Sequence, residues 1–145
     1  MATNVFVNLP VTDLDRAKRF YEALGTTIVP EFTDENAACV KWDDNVFFMV
    51  LTKEYFSTFT SKSVVLGSEG AQVITALSRE SRDDVDAVRA AVLAAGGTEN
   101  KEPQDYGFMY SISMADPDGN IIEFMWMDPI AAEKGPEAFF AEQEA

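Results

Sequence analysis

Histidine is absent from this 145-residue chain, and cysteine occurs once, at Cys39. The commonest general base and commonest metal ligand at neutral pH are therefore missing. Ser-His-Asp and Cys-His nucleophilic mechanisms are excluded within one chain. A lone cysteine makes no internal disulfide, which fits a reducing compartment. Bases are scarce too: 11 Lys and Arg stand against 25 Asp and Glu, a net charge of −14. Such a balance lacks the electrostatic footprint for nucleic acid and is repelled by anionic lipid. No apolar run approaches the roughly eighteen residues of a membrane helix. The opening MATNVFVNLPV has neither a basic n-region nor a small-residue cleavage site. A cytoplasmic protein with no nucleic-acid and no membrane partner is expected.

What is present suffices for one packed unit. Hydrophobic residues make up 47% and aromatics 12%, which excludes a disordered chain. The stretch NVFVNLPV alternates: Val5, Val7, Leu9 and Val11 point one way, Phe6, Asn8 and Pro10 the other, as in a half-buried strand. Thr12 or Asp13 can cap a following helix in which Leu14, Ala17, Tyr21 and Leu24 recur at helical spacing, with Gly25 as its stop. Three extended segments follow, Thr26 to Phe32, Ala37 to Trp42 and Val46 to Thr52.

The second half repeats the order. Gln72 to Leu77 is strand-like, and Ser81 caps a helix with Asp84 three residues on. Val85, Val88, Val92 and Ala95 form the helix stripe that Gly96-Gly97 ends. Thr98 to Lys101, Met109 to Ala115 and the run after DPDGN supply three more strands. Neither βαβββ unit buries its sheet alone, so the two are expected to pair. This gives one domain over 1–128, with module one at about 4–60, a connector at 61–70 and module two at about 71–128. A C-terminal helix and tail take 129–145, where Phe139 and Phe140 are expected to dock on the body or on a partner chain.

VNLPVTDLDRAKRFYEALG (Val7 to Gly25) resembles the opening signature of the vicinal-oxygen-chelate superfamily, and DPDGNIIEF (Asp116 to Phe124) resembles its closing one. That group includes glyoxalase I, bleomycin-resistance proteins, extradiol dioxygenases and fosfomycin-resistance proteins. The resemblance implies an α+β fold of two paired βαβββ modules, a curled mixed sheet forming a cup, helices outside, and a homodimer. In metal-dependent members four side chains, from the first and last strand of each module, hold a divalent ion. Carried over, those positions fall on Phe6, on Gln72, on Glu123, and on Phe48 or, with a slip of one, Met49. Two of the four, Gln72 and Glu123, are oxygen donors. Hard cations want about six oxygens and catalytic zinc about three protein ligands, so no metal is favoured over a weakly held divalent ion.

Period-two geometry puts Ile121, Glu123 and Met125 on one face of the last strand and Ile122, Phe124 and Trp126 on the other. If the second set lies under the helices, Glu123 faces the cup, where desolvation would suit it to general acid–base work. Phe6, Asn8, Phe48, Gln72 and Met125 are the expected lining, with Tyr106 and Tyr110 flanking the loop at its rim. Cys39, in an alternating strand, reads as a small core residue. Two functions follow. One is a bleomycin-resistance-like protein binding a small hydrophobic or cationic molecule in an apolar cup, its classical metal ligands largely lost. The other is a glyoxalase-type lyase or isomerase with Glu123 as base.

Overall fold

The structure, a computed structural model, describes residues 2–144. Met1, and Ala145 at the end of the expected tail, lie outside the described residues. Module one runs β1 (Val5–Val11), α1 (Leu14–Ala23), β2 (Thr27–Val29), β3 (Ala37–Asp43) and β4 (Val46–Thr52). A short α2 (Lys53–Phe56) follows. Module two runs β5 (Thr75–Ser78), α3 (Arg82–Ala94), β6 (Thr98–Asp105), β7 (Met109–Ala115) and β8 (Ile121–Met127), with α4 (Pro129–Lys134) and α5 (Pro136–Gln143) after it. The chain is thus α+β, with the expected pair of βαβββ modules. Among the described residues no helix is long and apolar enough to cross a membrane.

Each module makes its own four-stranded mixed sheet, ordered β1-β4-β3-β2 and β5-β8-β7-β6. The first strand of each lies parallel to the last, and the other pairs are antiparallel. Asp13 caps α1 by accepting from the Arg16 amide at 3.0 Å, and Ser81 caps α3 by accepting from that of Asp84 at 3.0 Å. Each cap satisfies an amide that has no partner inside its helix.

α1 packs against β3 and β4, and α3 against β7 and β8. Ala17, Phe20 and Tyr21 of α1 meet Ala38, Val40, Phe48 and Val50; Val85, Val88 and Val92 of α3 meet Ile112, Met114, Ile122 and Phe124. These sets form one continuous core. Trp42 of β3 joins them directly, its ring 5.8 Å from that of Phe124 in β8. The helix-bearing faces of both sheets therefore share their burial. Each fully buried aliphatic or aromatic side chain contributes about 1.5–3 kcal/mol there.

Two boundaries differ from the sequence reading. The second module's first strand starts at Thr75, not Gln72, because its ladder with β8 begins with Thr75 opposite Ile122. Val73 and Ile74 stay 62% and 54% exposed, apolar residues that precede the strand ladder. β6 extends to Asp105 through two register shifts and is exposed throughout. Pro103 and irregular pairing are tolerated there because β6 is an edge strand. At the C-terminus Phe139 and Phe140 do dock on the body, with ring centroids 6.4 and 5.9 Å from Phe108.

Candidate functional site

The two motifs that open and close the domain bond to each other. In the turn Asp116–Asn120, the Asp116 carboxylate accepts from the amides of Asp118 and Asn120 at 3.0 and 2.9 Å. Its second oxygen accepts from Tyr21 Oη at 2.8 Å and Asn120 Nδ2 at 3.0 Å. Asp118 accepts from the Thr12 amide (2.9 Å), the Thr12 hydroxyl (2.7 Å) and Arg16 (3.1 Å). Thr12, a candidate cap in the sequence, is used for this contact while Asp13 does the capping. Burial raises the Asp116 carboxyl, against the downward pull of its hydrogen bonds from Asn120 and Tyr21. Burial, followed by the charge of Asp116, pushes the Tyr21 phenol well above its ordinary value. This clamp fixes the start of β8 against the end of β1.

Beside the clamp lies a cleft of about 630 Å³. Asn8 and Pro10 of β1, Ile121 of β8, Phe56 of α2 and the segment from Thr60 to Val73 enclose it. The segment is held close by Gly67, where a Cβ would overlap backbone atoms of Gly119 and Asn120. Two predicted site residues, Asn8 and Gln72, meet in this cleft. Gln72 arrives there from a loop rather than from a strand face.

Glu123 stands elsewhere on the same sheet. Pairing sets it beside Ser113 of β7 and Ala76 of β5, on the face away from α3, and it is half-buried. Met125 shares that face with Ser111 and Ser78. Its cross-strand neighbours are the small Ser113 and Ala76 rather than a phenylalanine wall, with Ile121 and Met125 beside it along β8. Ser113 is itself buried, accepting from Asn100 Nδ2 at 3.0 Å. Neither Glu123 nor Met125 lines the cleft.

The aromatic candidates divide. Phe6 lies half-exposed on the helix-free face of β1, stacked on Phe47 at 4.8 Å between centroids with planes 9° apart. Phe48 does not line a cup: it pairs with Val7, faces the helices and is fully buried among Tyr21 and Trp42. Phe48 alternates with Phe47 and Met49 along β4, so its neighbours and not Phe48 itself face away from the helices. Met49 is therefore the helix-free counterpart of Glu123. Tyr110 also faces the helices, donating to Asp86 at 2.6 Å beneath Arg82. Its place opposite Trp126 dictates that side. Tyr106 is half-exposed and donates to Gln104 at 2.7 Å, away from the cleft. Cys39 is buried, and burial raises its thiol.

The donor set does not fit the divalent centre that the superfamily implies. On the helix-free faces the relevant strand positions carry Phe6 and Met49, neither a donor for a hard cation. Of the two predicted ligands, Gln72 lines the cleft and Glu123 does not. Among the described residues no three His, Cys, Asp or Glu side chains gather as a metal site.

Sequence reasoning missed most of the cleft wall, because residues 61–70 read as a connector. Lys62, Val64 and Val65 all face the cleft. The available signal was the apolar pairs Val64-Val65 and Val73-Ile74 inside a Ser- and Gly-rich stretch, too apolar for a plain linker.

The family model described as bleomycin resistance protein-like N-terminal matches residues 3–42. No curated protein matches. Similar solved structures include a hypothetical protein from S. aureus, 24% identical with a TM-score of 0.73, covering 87% of this chain and 94% of that one. A glyoxalase/bleomycin resistance protein/dioxygenase family enzyme from Burkholderia phytofirmans PsJN is 17% identical with a TM-score of 0.71, covering 87% and 99%. Fosfomycin resistance protein FosX from Mesorhizobium loti is 14% identical with a TM-score of 0.67, covering 92% and 98%. At these identities the likeness is one of fold, and one fold hosts many reactions. The amino-terminal match and these shared folds are what the resemblance to the vicinal-oxygen-chelate superfamily leads one to expect.

Proposed function

We propose that this protein binds a small organic molecule in a largely apolar cup and does so without a classical metal centre. The observation that carries this reading is the cleft of about 630 Å³ shared by Asn8 and Gln72. Its size falls in the range of small-molecule sites, roughly 300–1,000 Å³, and its few amides stand among apolar groups as such sites require. Phe6 and Met49 in place of metal donors support the metal-free half of the reading. The protein acts in the cytoplasm as a homodimer: Val5 and Phe6 on the free edge strand β1 are apolar and about half exposed, the kind of edge a second copy covers. Calorimetry against a small-molecule library in EDTA tests the binding. Strict dependence of every binding event on added metal overturns it.

A second reading, a glyoxalase-type lyase or isomerase, is favoured by one observation. Among the described residues the half-buried Glu123 carboxylate takes part in none of the side-chain hydrogen bonds found, and it stands beside Ser113. A carboxylate so placed is free to take a proton next to a substrate carbonyl. Turnover that survives Glu123→Gln rejects this reading.

A further inference from the structure

The chain carries 25 acids and a net charge of −14, which by itself points to cationic ligands. The cleft does not share that character. Of the described residues that line it, none is Asp or Glu, and Lys62 alone is ionisable. Lys62 takes part in none of the ion pairs found among the described residues. Lys62 is thus the one ionisable residue described on a wall that is otherwise amide, hydroxyl and hydrocarbon, and its exposed side chain is long enough to reach a ligand held there.

We infer that the ligand of this cleft is a small amphipathic anion, a carboxylate or its equivalent on an apolar body, with its charge on Lys62 and its body against Phe56, Val65, Val73 and Ile121. This inference rests on the cleft being the binding site and adds the charge class of the ligand. The physical grounds are two. An ammonium near a low-dielectric wall attracts an anion and disfavours a cation brought to the same place. The neutral amides of Asn8 and Gln72 offer N–H donors to a carboxylate without a competing negative charge. The acidic surface then acts as a filter, keeping polyanions away while a monoanion with enough apolar surface still enters.

The test uses three probes with one ring system and different charge: 2-naphthoate, 2-naphthylmethanol and 2-naphthylmethylammonium. Binding is measured by calorimetry on the full chain at low salt. Naphthoate is expected to bind best and the ammonium worst, with about fivefold to tenfold between them. Lys62→Met should remove the advantage of naphthoate while leaving the alcohol unchanged, and Lys62→Glu should reverse the order. Ala71→Trp, which fills the cleft from its exposed connector, should abolish binding of all three while circular dichroism stays native. Equal binding of the three probes, a tighter ammonium, or indifference to Lys62→Met overturns the anion assignment and leaves the cleft standing. No binding of any probe, undiminished binding by Ala71→Trp, or binding lost as protein concentration rises because a second copy covers the cleft, overturns the cleft itself and this inference with it.

Discussion

Tyr21 Oη donates to Asp116 at 2.8 Å across 95 residues of chain, and both groups are buried. The pair ties the helix of the first module to the turn of the second. It is also the point where the two stretches that resemble the superfamily's signatures, Val7 to Gly25 and Asp116 to Phe124, become one physical object. Tyr21→Phe removes a hydrogen bond to a charged acceptor and leaves Asp116 under-satisfied. The expected loss is about 1.5–3 kcal/mol of unfolding free energy, read from urea melts. A change below about half a kcal/mol removes the clamp from the account of stability.

The same tyrosine sets an alkaline limit. Its phenol is raised well above 10.0 in the folded state, so the unfolded chain ionises first as pH rises. Stability from this group is whole below pH 10 and is lost progressively above it. Wild type and Tyr21→Phe should therefore converge in stability as pH passes 10. In a phenolate absorbance titration, Tyr21→Phe should delete a late step.

At the acid end the relevant group is Asp105, which pairs with Arg82 at 2.7 and 3.0 Å and accepts from the Gly107 amide at 2.9 Å. The Arg82 hydrogen bond, followed by that from Gly107, lowers its carboxyl from 3.8 to about 2. Its contribution is present above the ordinary value and fades as pH falls through 3.8 toward 2. The raised Asp116 carboxyl works the other way, contributing fully only below its ordinary value. Asp105→Asn should flatten the acid limb of a pH-stability curve between pH 4 and 2. The effect is small and shrinks with salt because the pair is exposed.

Gly67 is where the connector touches the turn. Gly67→Ala places a methyl group into the backbone of Gly119 and Asn120, and neither chain can yield without loosening the clamp. A loss of about 1–3 kcal/mol is expected, together with weaker binding of any cleft ligand. Gly70→Ala, whose Cβ meets only Val65 at ordinary contact distance, is the control and should leave both unchanged.

Glu123→Gln separates the two functional readings. Glu123 is off the cleft wall, so on the binding reading the substitution leaves ligand affinity in EDTA within about twofold of wild type. A loss of binding by more than tenfold would move the site onto the sheet-two face.

Much of the fold was legible from periodicity. The alternation of Val5 to Val11 and the spacing of Leu14, Ala17 and Tyr21 mark β1 and α1 because burial on one face imposes those periods. Phe139 and Phe140, by contrast, found Phe108 only in three dimensions. The strand expected from Gln72 starts late for a similar reason: Gln72, Val73 and Ile74 have strand character, but the ladder with β8 begins only at Thr75 opposite Ile122. Phe48 faces the helices and Met49 the other side, because matching Asn45 to Asn120 does not fix which face of β4 a residue takes, and a slip of one position turns every side chain over.

The sequence by itself determined the local elements, the paired modules, the exclusion of histidine chemistry and the carboxylate on the helix-free side of β8. Those follow from residue type and short-range geometry. Only the tertiary structure decided that Gln72 lines the cleft and Glu123 does not, that a stretch read as a connector walls the cleft, and that Lys62 is the one ionisable residue among the described residues lining it. Charge totals are sums over the whole surface, whereas a cleft samples the few side chains that folding happens to bring to it.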